Sequence, residues 1–211
     1  MTQNYYLVHS EKIISLLVGN LLGDAWGEKR SNSTRFHIHM GSPNTSVEYL
    51  RWLHAQYSSD GYCSTTLPVL RPLEPSKNGK IYHSQKIRTY SYNSFNWLYD
   101  GFYTMSESGK MIRTIPPFIG DLFTPRAFAT LMMDDGSYSS AGVLISLNNF
   151  SEKDVDVLRA AIQKRYDLNP TKQHQGKQFR IYFIKKEMDK LADIVRPYII
   201  DCMKYKLGPH A

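Results

Sequence analysis

Leu17 to Ala25 reads LVGNLLGDA, and Phe128 to Gly136 reads FATLMMDDG. Each is an apolar, largely uncharged run of helical character that ends abruptly in an aspartate. A helix apolar nearly all round belongs in the interior, against another element like itself. The first run carries Gly19 and Gly23, four apart and therefore on one helical face. A glycine inside a helix costs about 1 kcal/mol relative to alanine, and close approach of two helix backbones is a reason to keep it. In the second run the small residues are Ala129 and Thr130. Packed side by side, the runs bring Asp24 and Asp135 out together at one end. Two carboxylates so placed repel unless a divalent cation sits between them.

Outward from the first run, Ser10 is placed to cap a helix over about 11–23. Trp26 to Arg30 and Arg35 to Met40 read as strands joined by a polar turn. Thr45-Ser46-Val47-Glu48 has the form of a capping box, followed by Leu50, Leu53 and Tyr57 on an amphipathic helix. Strands near Cys63 to Leu70 and Ile81 to Tyr92 and a helix over Ser94 to Tyr103 complete the segment. After a Gly- and Pro-bearing connection, Pro125 suits the first turn of the second run. The same order then returns: strands at Ser137 to Ser140 and Val143 to Asn148, a helix opened by Ser151 with Val155, Leu158 and Ile162 on one face, a hairpin around Gly176, and a closing helix over Lys186 to Tyr198. The order is αββαββα twice, an α+β architecture with an internal repeat of half the chain. The expected division is 1–105, a linker over 106–124, and 125–211.

Twenty-six Lys and Arg against 19 Asp and Glu leave a net charge of +7, which points toward a polyanionic partner. Cys63 and Cys202 show no zinc spacing and suit buried thiols in a reducing compartment. No apolar run has the length of a membrane span, and the start has neither a signal-peptide core nor transit character. The sequence is therefore read as intracellular, with no membrane partner. Alternation splits the second strand into Phe36, Ile38 and Met40 on one face and Arg35, His37 and His39 on the other. The late strand repeats the pattern, with Phe179, Ile181 and Phe183 inward and Gln178, Arg180 and Tyr182 outward. With Arg30, Lys86, Arg88 and Lys172, these polar residues form the expected DNA-contacting set, either along a groove or, as the plainer alternative, on a solvated sheet face. His37 and His39 share a face but lack the further ligands a zinc site needs.

The paired runs resemble the motifs of the LAGLIDADG homing endonucleases, in particular single-chain members with two motif copies. The second copy carries Asp134 where a small residue is usual. The resemblance implies a pseudo-symmetric monomer whose antiparallel sheets form a saddle over double-stranded DNA. It implies metal-binding acids at Asp24 and Asp135, with the backbone carbonyls of Gly23 and Asp134 also reaching the metals. Two or three Mg²⁺ ions, replaceable by Mn²⁺, are expected there. A basic residue beside each site falls on Lys206 in the second half and on Arg113 in the first, with Lys110 as a substitute. Arginine cannot serve as a general base near neutral pH, so Arg113 would act electrostatically.

The implied activity is a double-strand break in a long non-palindromic target, leaving short 3′ overhangs and promoting intron mobility. An organelle (mitochondrion or chloroplast) that encodes the protein is the expected compartment. The alternatives are an RNA maturase of the same fold acting on intron RNA and a cleavage-deficient DNA-binding protein. An intein is disfavoured, because a nucleophilic first residue and a terminal His-Asn are missing.

Overall fold

The computed structural model describes residues 8–41, 44–72, 74, 75, 79, 83–139, 142–176 and 178–211. Helix α1 runs Glu11–Leu22, opened by the Ser10 hydroxyl, which accepts from Ile13 N at 3.4 Å. Strands β1 (Ala25–Arg30) and β2 (Ser33–Gly41), helix α2 (Asn44–Ser59), strands β3 (Arg71–Pro72) and β4 (His83–Arg88) and helix α3 (Asn96–Phe102) follow. A hairpin of β5 (Tyr103–Met105) and β6 (Met111–Arg113) and the short helix α4 (Ile119–Leu122) lead to helix α5, Pro125–Asp135. The Thr124 hydroxyl caps α5 by accepting from Ala127 N at 3.2 Å, and Pro125 fixes its first turn. Strands β7 (Gly136–Ser139) and β8 (Gly142–Ser146), helix α6 (Glu152–Tyr166), strands β9 (Thr171–Gln175) and β10 (Gln178–Ile184) and helix α7 (Met188–Val195) complete the regular elements. The order αββαββα thus occurs twice, and the fold is α+β with two antiparallel four-stranded sheets.

The chain divides into two compact units, Met1–Gly23 with Trp97–Ala211, and Asp24–Asn96. Packing explains why α1 groups with the second sheet: its apolar surface is buried against α5. In the unit Asp24–Asn96 the strand order is β1-β2-β4-β3. Phe36, Ile38 and Ile87 form the covered face, and Tyr49, Leu50, Leu53 and Tyr57 of α2 are buried with them. In the other unit the order is β7-β8-β10-β9. Val143, Ile145, Ile181 and Phe183 are buried there, as are Val155, Leu158 and Ile162 of α6, the face expected from their spacing. No helix among the described residues is long and apolar enough to cross a membrane.

Several boundaries depart from the sequence reading. The strand expected over Cys63 to Leu70 is reduced to an isolated bridge between Cys63 and Thr89, and pairing resumes only at Arg71. Pro68 lacks an amide donor, which argues against a ladder there. The expected strand from Ile81 to Tyr92 is regular only over His83–Arg88; Ile81 and Tyr82 lie outside the described residues, as do Ser140 and the side chains of Thr45 and Ser46 in the expected capping box. Within the expected linker, the chain instead forms β6 and α4 and buries Ile115, Ile119, Leu122 and Phe123. The closing helix is shorter than expected, because Pro197 interrupts it and turns of 3-10 helix flank α7.

Candidate functional site

The ends of α1 and α5 meet through the small residues of the first run. A Cβ placed on Gly19 would lie 2.5 Å from both the Ala127 carbonyl oxygen and Thr130 Cβ. One placed on Gly23 would lie 2.6 Å from Asp134 Cβ. These two positions are glycine because the facing helix occupies the space a side chain needs. Asn20, wholly buried on α1, donates from Nδ2 to Asp134 Oδ2 at 2.9 Å. The Asp134 side chain therefore bonds across the helix pair to an amide. At the other end Thr124 Oγ1 donates to Ser15 Oγ at 2.7 Å, tying the start of α5 to α1. Gly23 immediately precedes Asp24 and Asp134 immediately precedes Asp135, so the chain neighbours of the two acids are in contact. Asp24 is exposed and Asp135 half-buried.

A basic side chain reaches the last turn of each helix. The Arg113 guanidinium donates to the Leu21 carbonyl and lies over the Phe150 ring, 5.1 Å from its centroid. Lys206, only 7% exposed, donates from Nζ to the Met133 carbonyl and to the Asp134 carbonyl at 3.0 Å. Cations at these positions answer the negative end of each helix dipole. Lys110, by contrast, is exposed in the β5–β6 turn.

Arg113 owes its place to Asp154. That buried carboxylate accepts from Thr114 Oγ1 at 2.6 Å and Ile115 N at 2.9 Å, and it also forms the capping box with Ser151 at the start of α6. Burial alone would raise the Asp154 pKa, but hydrogen bonds from Ser151, Thr114 and Ile115 outweigh it and hold the group below the usual carboxylate value. The sequence reading missed Asp154 and Phe150, because only the folded chain brings α6 to the segment after β6.

The open face of the first sheet carries Trp26, Glu28 and Arg30 opposite His37, Arg35 and Ser33, with Arg88 opposite His37 and Lys86 opposite His39. Arg30, Lys86 and Arg88 are exposed. The side chain of His39 lies outside the described residues. His37 departs from the expectation of an outward reader: it is buried, stacked on Trp26 with ring centroids 5.0 Å apart, and bonded through Nε2 to Glu28 at 2.7 Å. Arg35, then His37 and Arg30, hold the Glu28 carboxyl down at about 2. Burial pushes His37 below 6.5, and Glu28 only partly opposes this. Because the ring is covered, the neutral form donating Nε2–H is the one the site favours.

On the second sheet Gln178, Arg180 and Tyr182 lie opposite Gln175, Gln173 and Thr171, so Gln173 and Thr171 join that face, which the hairpin register reveals and composition does not. Lys172 is corrected to the other face. It pairs with core-facing Ile181 and sends its ammonium to Glu152 and Asp156 of α6, each at 2.7 Å. Those two carboxylates also raise its pKa. Its alternation within β9 decides this, since neighbours along a strand face opposite ways.

Among the described residues there is no cluster of three or more His, Cys, Asp or Glu groups suited to a metal. Residues 14–191 match the LAGLIDADG DNA endonuclease family. The chain is 38% identical over 200 residues to the cytochrome b mRNA maturase bI2 of Saccharomyces cerevisiae, covering 93% of this chain and 47% of that protein, about half its length. It is 30% identical over 156 residues to the intron-encoded endonuclease ai4 of Dictyostelium discoideum, covering 72% of this chain and 96% of that one. Among solved structures, the homing endonuclease I-WcaI bound to its DNA recognition sequence shares the fold with a TM-score of 0.78 at 23% identity, over 94% of this chain and 86% of that one. I-DmoI in complex with DNA and Mn shares it with a TM-score of 0.50 at 11% identity, over 88% and 96%.

Proposed function

This chain belongs to the LAGLIDADG DNA endonuclease family, and we propose that it is a monomeric homing endonuclease. In this reading it makes a double-strand break in a long non-palindromic DNA target, leaves short 3′ overhangs, and so promotes intron mobility. The observation that carries the proposal is the contact of Gly23 with Asp134, the residues just before the two acids, with a basic side chain at the end of each helix. The DNA-bound I-WcaI relative supports the partner, and the endonuclease ai4 supports the activity.

Asp24 and Asp135 are the proposed metal-holding carboxylates, with the carbonyls of Gly23 and Asp134 as further donors. An all-oxygen set at the negative ends of two helices fits a hard divalent cation such as Mg²⁺, in two or three copies, with Mn²⁺ as a substitute. When bound, such ions supply an activated water and stabilise the charge that develops on the scissile phosphate and its departing 3′-oxygen. Lys206 and Arg113 stand beside the two helix ends, where their charge favours an approaching phosphate. Arg113 stays charged at any pH near neutrality. Arg30, Lys86 and Arg88 on the first sheet, and Gln178, Arg180 and Tyr182 on the second, are the proposed DNA-contacting residues. The cytochrome b mRNA maturase relative supports an organelle as the compartment that encodes and houses the protein.

The same relative favours a second reading, an RNA maturase assisting intron splicing, alone or together with cleavage. One set of variants separates the readings. The full chain with Mg²⁺ should cut a duplex spanning the intron-lacking junction, and Asp24→Asn and Asp135→Asn should not. An uncut junction together with splicing help that survives both substitutions would replace the nuclease with the maturase. Salt-dependent specific binding without cutting by the unaltered chain would leave a cleavage-deficient DNA-binding protein.

A further inference from the structure

Glu28 is an acid on a sheet face otherwise rich in cations, and its bonds sort the neighbouring bases into two kinds. Its Oε2 receives Arg35 Nε at 2.8 Å, Arg35 Nη2 at 2.7 Å and His37 Nε2 at 2.7 Å. Its Oε1 receives Arg30 Nε at 2.8 Å. The Arg35 and His37 side chains are 16% and 6% exposed, so both are largely consumed within the protein. Arg30 differs: it is 53% exposed and bonded to Glu28 through Nε. Its Nη1 and Nη2 have no partner among the described residues, and they are the parallel donors that match guanine O6 and N7. An arginine already tethered at Nε loses less rotamer freedom when that fork engages. A carboxylate on a phosphate-facing surface opposes general attraction to DNA, so the value of Glu28 there lies in what it orients.

We propose that Glu28 is a specificity-determining positioning residue: it holds Arg30 so that its free fork reads one guanine of the DNA target, while Arg35 and His37 brace Glu28. The inference rests on the DNA-cleaving function above and narrows which residue on this face reads a base.

The test uses the full chain in EDTA, to prevent cutting, with a randomised duplex pool. Bound duplexes are sequenced for the wild type, Glu28→Gln and Arg30→Lys, and affinity for a scrambled duplex is measured for each. Both variants should lose preference at the same guanine by roughly 5- to 150-fold, the range for one bidentate arginine contact, and keep preference elsewhere. Glu28→Gln should hold the scrambled duplex as tightly as wild type or more tightly, because a negative charge has gone. Arg30→Lys keeps the charge at an exposed position, so it separates loss of the fork from loss of the fold. Unchanged guanine preference in Glu28→Gln, or an even loss at every position, would overturn the proposal. A wild type that selects no sequence would overturn both this inference and the function it rests on.

Discussion

Replacing Gly19 by alanine tests the helix pair directly. The added Cβ would sit 2.5 Å from the Ala127 carbonyl oxygen and from Thr130 Cβ, roughly 1 Å inside ordinary carbon contact. One of those atoms is backbone and the other is fixed to it, so no side-chain rotation relieves the overlap and the helices must part. Overpacking of this kind costs about 1–3 kcal/mol, while the alanine gains about 1 kcal/mol in helix propensity. With a backbone atom in the clash, the upper part of the range applies, for a net loss of about 1–2 kcal/mol. For a chain of this size that lowers Tm by roughly 2–8 °C. Cleavage should fall further than the stability loss explains, because shifting α1 also carries Gly23 away from Asp134. Gly120→Ala is the control: its Cβ would meet Ala161 Cβ at an ordinary 3.7 Å, so only the propensity gain applies. Calorimetry or urea unfolding of both variants, with a cleavage assay, reads the result. If Gly19→Ala is as stable as wild type, or more so in the manner of Gly120→Ala, the reasoning about close helix contact is wrong.

Three further predictions concern the surroundings of that pair. Asp154→Asn removes charge-assisted bonds that hold Thr114 and Ile115, and urea unfolding should show a loss of roughly 2 kcal/mol; a neutral result would mean the segment after Arg113 is held by other contacts. His37 should titrate below 6.5 in an NMR pH series, since burial disfavours its charged form. The sign follows: a depressed folded pKa gives stability that is present above the unfolded value of 6.5 and lost as pH falls through the folded value, so a midpoint at or above 6.5 contradicts the buried neutral ring. Lys206→Met should slow cutting of one strand more than the other, visible as nicked intermediate on a supercoiled target plasmid, because Lys206 meets α5 while Arg113 meets α1; equal slowing of both strands would remove the one-helix assignment.

The repeated element order was legible because its signals are local. Ser10 and Ser151 each cap a helix through their own hydroxyl, Pro125 opens α5, and the apolar spacing of Val155, Leu158 and Ile162 named the buried face of α6. Gly19 and Gly23 announced the close contact, because a helical glycine needs a reason. What the sequence could not show depended on register and on partners distant in the chain. Lys172 looks like another basic strand residue until the hairpin around Gly176 sets it opposite Ile181, on the side of α6. His37 alternates correctly, yet Trp26 and Glu28 cover it across the strand pair. Asp154 lies three residues after Ser151 at a helix start, and nothing in its neighbourhood announces that Thr114 and Ile115 bind it.

In the proposed nuclease centre, Asp24 and Asp135 hold the cations. Anomalous diffraction from crystals of the full chain with its junction duplex and Mn²⁺ tests this most directly. Manganese peaks are expected within coordination distance of both carboxylates and should be lost in Asp24→Asn and Asp135→Asn. Manganese bound elsewhere, or retained at these positions after both substitutions, would contradict it.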